Sequence, residues 1–227
     1  MRFYDELLGA TEKDRSLLLA LPFIRDGAKG ALTLADYLAF LEQAYHHVKH
    51  TLPLLMACGS RLPAHLEWLR IGMAEYIKEE TGHEQWILDD ISACGGDAAA
   101  VQNGTPELPA ELLVAYAYDV IARVNPVGFL GMALVLEGTS TTVASRAAEA
   151  LMKSLKLRPS AFTYLASHGA LDVGHTKFFA TLVNRIDTPD DRAIIVHCAK
   201  VFYRLYGDVF RALDRRRGAL PALDVAA

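Results

Sequence analysis

Apolar residues recur every three to four positions along almost the whole chain, and strict alternation is nearly absent. That periodicity turns one helix face after another toward a shared interior, and so predicts an all-α fold. A short helix is predicted over 3–9. A second starts at the N-cap candidate Thr33 and runs to about Cys58, with Pro53 expected to kink it because proline removes a backbone donor. A third follows Pro63 and continues to about Ala93, where Gly95-Gly96-Asp97 ends it, and 96–108 reads as a loop. The fourth spans about Pro109 to Arg123. Asn125-Pro126 marks a break before a fifth from Gly128 to about Leu155, and Pro159 opens a sixth that reaches roughly Arg185. Thr188-Pro189-Asp190-Asp191 is a start signal for a seventh, ending near Arg217: an N-cap, a proline at the first position and an acidic first turn. Seven helices joined by short loops make one bundle-like domain over 1–217, followed by a short tail, 218–227.

Within this pattern the sixth helix carries His168, Asp172 and His175. Intervals of four and three put them on one stripe, among apolar neighbours such as Phe178 and Phe179. Burying two imidazoles and a carboxylate without partners costs several kcal/mol, on the order of the usual desolvation penalty, and a metal ion removes that cost. Glycines at 169 and 174 suggest close approach of a helix or ligand. The third helix offers Glu80 and His83, a Glu-x-x-His pair of the kind with which helical bundles hold two metal ions. Glu79, four residues before His83, is the rival ligand, and Glu84 reads as solvated. Glu137 is a lone acid in the apolar run Phe129–Gly138, with no Lys or Arg within two turns on its own helix. A carboxylate there is protonated, paired with a base, or bound to metal.

Together these are three carboxylates and three imidazoles without a thiolate, a donor set suited to iron or manganese rather than to a cysteine-rich zinc site. Composition supports a globular protein: 227 residues, 52% hydrophobic and 22% charged. A net charge of −4 supplies no basic face for nucleic acid, and the cluster Arg215-Arg216-Arg217 suits the end of a helix dipole. Three scattered cysteines fit a reducing compartment. No apolar signal core follows the start, and no apolar run approaches the roughly 18 residues of a membrane span, so a cytosolic protein is expected.

In the order Glu80 with His83, then Glu137, then His168-x-x-x-Asp172-x-x-His175, the chain resembles the haem-oxygenase-like di-iron oxidases and oxygenases over nearly its whole length. The resemblance implies the seven-helix haem-oxygenase-like bundle, a site for two irons (with manganese as a substitute), and O2-dependent oxidation of a small organic substrate. The reaction classes implied are N-oxygenation, C–H abstraction and oxidative C–C cleavage. In such proteins the Glu precedes the His by three, seven or ten residues. Here positions 76 and 73 are Tyr and Met, which leaves Glu80. The first histidine, His46, lies too far along the chain for a haem oxygenase axial ligand, and no cysteine between Cys94 and Cys198 matches the thiaminase II nucleophile. A metal-free oxidase resembling pyrroloquinoline-quinone synthase, and a non-enzymatic helical metal- or ligand-binding protein, are the competing readings. Tyr45 is a candidate pocket residue. Lys49, Arg123 and Lys177 are candidate partners for an anionic substrate, and a homodimer is compatible with such a fold.

Overall fold

The computed structural model describes residues 2–220, apart from the side chains of 169–173. The described residues form α-helices α1 (Phe3–Leu19), α2 (Pro22–Gly27), α3 (Leu34–Val48), α4 (Thr51–Arg61), α5 (Glu67–Glu80), α6 (His83–Ala93), α7 (Ala98–Asn103), α8 (Leu108–Asp119), α9 (Leu130–Leu155), α10 (Thr163–Val183) and α11 (Pro189–Arg216). No strand occurs among them. The all-helical expectation stands, but the count of seven does not.

The difference has local causes. The predicted second helix is two, because the chain breaks at Lys49-His50 and Pro53 takes a place in the first turn of α4, where its missing N–H is harmless. The predicted third helix is also two, divided at Thr81-Gly82. A short helix also forms at Pro22–Gly27, where none is expected, and another, Ala98–Asn103, within the segment 96–108 read as a loop. The first helix runs on to Leu19 instead of stopping at residue 9, since its buried face continues at helical spacing through Leu7 and Thr11 to Leu18.

Other start signals hold as read. Thr33 and Asp36 form a reciprocal capping box at α3 (Asp36 N to Thr33 Oγ1 3.1 Å, Thr33 N to Asp36 Oδ2 2.9 Å), an arrangement worth about 1 kcal/mol. Thr188 caps α11 with Pro189 at its first position.

The long helix α9 packs chiefly against α10 and α11. A Cβ on Gly131 would lie 2.5 Å from Ala199 N, so only glycine lets α9 and α11 approach this closely. Contrary to the expectation from sequence, Pro126–Leu155 is long and apolar enough, by length and composition, to cross a membrane. In this fold 56% of its most apolar window is buried in the bundle.

Two buried acids tie helices together. Asp214 on α11 accepts the backbone N–H of Phe23 at 3.2 Å, and Arg217 bridges Asp214 and Asp26 at 2.9 and 2.7 Å, which docks α2 onto α11. Asp90 on α6 accepts the backbone N–H groups of Thr163 and Tyr164 at 2.8 and 2.9 Å, and thereby caps α10. The second tie sets the register of the two helices that carry the candidate ligands.

Candidate metal centre

Glu80 is the last residue of α5 and His83 the first of α6. The pair therefore does not share a helix face, as its spacing suggests. Thr81 is extended, Gly82 takes φ +91°, and the resulting sharp turn folds the Glu80 carboxylate back onto the imidazole, with Oε2 2.9 Å from His83 Nδ1. Glycine reaches this backbone region at no steric cost, which is why the turn falls there.

His168 of α10 comes to the same place. The ligand atoms of Glu80, His83 and His168 all lie within 4.8 Å of one another, and the two imidazoles meet edge-on with centroids 4.9 Å apart. Trp86 stacks on His83 at 4.0 Å and holds its plane. His168 Nδ1 lies 3.1 Å from Tyr164 O, an arrangement that keeps the proton on Nδ1 and puts the lone pair on Nε2.

The other side of Glu80 faces His175, whose Nδ1 is 3.5 Å from Oε1. Each oxygen of one carboxylate is thus directed at a different histidine, from α6 on one side and α10 on the other. His175 Nε2 also lies 3.0 Å from Glu79 Oε2, so the structure brings both neighbouring acids to the cluster, Glu80 buried within it and Glu79 half-exposed at its edge. Burial pushes the Glu80 carboxyl up. The His83 hydrogen bond and the charges of His83, His168 and His175 outweigh it, and the net shift is downward, toward the ionised, ligating form.

Glu137 on α9 is only partly buried, less than its apolar surroundings suggest, and its Oε2 lies 3.5 Å from the Tyr76 hydroxyl. Burial, then the Glu137 charge, raise the Tyr76 pKa and keep that phenol protonated as a donor. The side chains of Asp172 and Gly169 lie outside the described residues. Among the described residues Gly174 has no neighbour within 4 Å of a Cβ position, so no helix packs closely there.

The donors present fit a first-row metal. They are carboxylate oxygens and imidazole nitrogens gathered in a buried pocket, with no thiolate among them, since Cys58, Cys94 and Cys198 are buried free thiols elsewhere in the fold.

A cavity of about 100 Å³ opens beside the cluster, with Glu80, Glu137, His168 and Tyr76 in its wall. Tyr45 does not line it. Tyr45 is buried against the His46 ring and under Lys49, and the pocket position expected of it falls to His47. The stripe Tyr37, Leu41, Ala44 runs on to His47 and Val48 at helical spacing, a signal that points to His47. Tyr164, Tyr206 and Ser140 also line the cavity and carry no sequence signal of their own. Nor do the expected basic partners line it. Lys49 lies 3.3 Å from His46 Nδ1, Arg123 is exposed and paired with Asp119, and Lys177 is exposed.

A model of a protein family described as iron-containing redox enzymes matches residues 38–207. No curated protein sequence matches the chain. Among solved structures, a domain of unknown function with a haem oxygenase-like fold from Shewanella denitrificans superposes with a TM-score of 0.82 at 24% identity, covering 100% of this chain and 99% of that one. A TenA homologue from Pseudomonas syringae gives 0.80 at 9% identity, with 94% and 93% covered. Haem oxygenase-1 from Synechocystis, solved in complex with haem, gives 0.74 at 12% identity, with 95% and 94% covered. At these identities the likeness is one of fold, a haem oxygenase-like bundle.

Proposed function

We propose, from the premise that the chain belongs to the iron-containing redox enzyme family, that it is a non-haem di-iron oxidase or oxygenase of a small organic substrate. One observation carries this reading. The two oxygens of Glu80 face two different histidines, His83 and His175, so this one carboxylate stands between imidazoles on both sides and could help to hold two ions. His83 and His168 would hold one ion with Glu80, and His175 with Glu79 or Glu137 the other. Bound iron would supply the electrons for O2 reduction and the oxidising power turned on the substrate, by N-oxygenation, C–H abstraction or oxidative C–C cleavage.

The protein's own residues contribute orientation, charge and dryness. Tyr164 O fixes the His168 tautomer, and Trp86 holds the His83 plane. Tyr76, kept protonated by burial, donates to Glu137 and steadies its carboxylate at the cavity wall. Leu54, Leu55, Met73 and Phe129 make much of the rest of that cavity's wall apolar and so lower the polarity around the reacting groups. Rapid mixing of the anaerobic ferrous protein with O2 tests the reading. A transient visible absorption that His168→Ala abolishes is the expected result. A metal-free oxidase of the same fold gives no O2-dependent absorption, and its turnover survives exhaustive chelation.

A further inference from the structure

The candidate donors are not equally deep. Among those described, Glu79 is the exposed one: its side chain is 49% accessible, against 6% for His175, 11% for Glu80 and 4% for His83. These four groups also stand in file from the surface inward. Glu79 Oε2 lies 3.0 Å from His175 Nε2, His175 Nδ1 lies 3.5 Å from Glu80 Oε1, and Glu80 Oε2 lies 2.9 Å from His83 Nδ1. Carboxylate and imidazole alternate, and His175 turns one ring nitrogen toward the outer acid and the other toward the inner one.

Local structure produces the file. Adjacent positions on a helix point about 100° apart, so turning Glu80 into the bundle leaves Glu79 at its rim. Beside His175, Gly174 is exposed, and among the described residues no atom lies within 4 Å of the place its Cβ would take, so the rim is open to solvent there. The cavity next to the cluster is lined by Glu80 but by neither Glu79 nor His175. The rim and the cavity are therefore separate approaches to the same carboxylate.

The spacing at the rim suits a divalent ion. Oxygen and nitrogen ligands stand about 2.0–2.2 Å from such an ion, so two of them at a right angle are about 3 Å apart. That is the separation of Glu79 Oε2 and His175 Nε2. An ion arrives from water with a full hydration shell, and stripping the shell in one step is costly. A file of ligands replaces the waters one at a time.

We infer that Glu79 and His175 form the entry site through which the cluster takes up its metal. Glu79 captures a hydrated divalent ion at the surface, and His175 passes it from Glu79 to Glu80. On this assignment Glu79 is a loading residue, and Glu137 is the resident carboxylate for the second ion. The inference rests on the reading of the cluster as a metal centre, but it concerns the rates of uptake and release rather than oxidation chemistry.

Stopped-flow mixing of the metal-free protein with Co(II), followed by the visible absorption of bound cobalt, tests this. A residue that serves only in passage changes entry and exit by the same factor, because both directions cross one barrier, and leaves the final content alone. Glu79→Gln keeps the shape of the side chain and removes its charge. It is expected to slow uptake roughly tenfold, the order of one carboxylate's attraction for a dication at an exposed position. Release of cobalt to excess chelator should slow by the same factor, with close to two cobalt ions per chain still bound at saturation. Glu111 is an exposed acid on α8, and Glu111→Gln removes the same charge away from the rim. Its two rates should stay within about twofold of wild type, since distant exposed charges are screened. Faster release with weakened cobalt binding in Glu79→Gln would make Glu79 a resident ligand and overturn the inference. Unaltered rates in Glu79→Gln, or equal slowing in Glu111→Gln, would overturn it as well. Each of these results leaves the metal centre standing, whereas wild-type protein that takes up no cobalt would defeat the metal reading and the entry site together.

Discussion

The carboxylate of Asp90 on α6 accepts the backbone N–H of Tyr164 on α10 at 2.9 Å, and so sets the register at which His83 meets His168. Asp90 lies two turns along α6 from His83, and Tyr164 one turn before His168, so the cap and the imidazole pair are successive rungs between the same two helices. Fully buried, the carboxyl is pushed up to about 6 by desolvation, while its bonds to Tyr164 and Thr163 pull the other way.

Asp90→Ala leaves two backbone donors at the start of α10 without their acceptor. Loss of the cap and of buried hydrogen bonds is expected to cost about 3 kcal/mol, read as a lowered urea midpoint with an unchanged slope. Because the register of α6 on α10 goes with it, iron affinity should fall as well, although Asp90 is not a ligand.

Gly82 makes a narrower test. Its φ of +91° is the turn that brings Glu80 onto His83, and a Cβ there meets nothing within 4 Å. Gly82→Ala therefore acts through backbone strain alone, costing about 1–2 kcal/mol. The expected signature is weakened iron binding with far-ultraviolet circular dichroism retained.

His47 predicts a pH dependence. It is fully buried, with Nδ1 3.0 Å from Gln43 O, and burial lowers its pKa from 6.5 to about 4. Between those values the unfolded chain binds a proton that the folded protein does not, so stability is full above pH 6.5 and lost as pH falls toward 4. The loss is on the order of 3 kcal/mol for this residue. His46 shifts in the same sense and Asp90 in the opposite one over much of the same window. The difference between the metal-free wild-type protein and His47→Gln isolates His47: urea midpoints of the variant should decline less between pH 7 and 4.5. Parallel declines would show that His47 is not buried in its neutral form.

Features written locally were legible in the sequence. The caps at Thr33 and Thr188 sit where their motifs place them, and the His168–His175 stretch is helical throughout. The pairing of Glu80 with His83 was legible too, but not its geometry, because a glycine within a helical pattern does not announce a left-handed turn. The contacts between α5 and α10 that bring both Glu79 and Glu80 to His175 depend on packing between segments more than ninety residues apart, which periodicity cannot supply. Asp90 carries no motif that singles it out, and only the fold shows it buried as the cap of another helix.

The placement of Glu80 between His83 and His175 is the centre of the account, and iron stoichiometry tests the role proposed for it most directly. Anaerobic titration with Fe(II), followed by desalting and metal analysis, should give close to two irons per chain in the wild-type protein. Glu80→Ala should hold no more than one, with its helical content intact. Wild-type protein that retains no iron, or a Glu80→Ala variant that still holds two, would contradict it.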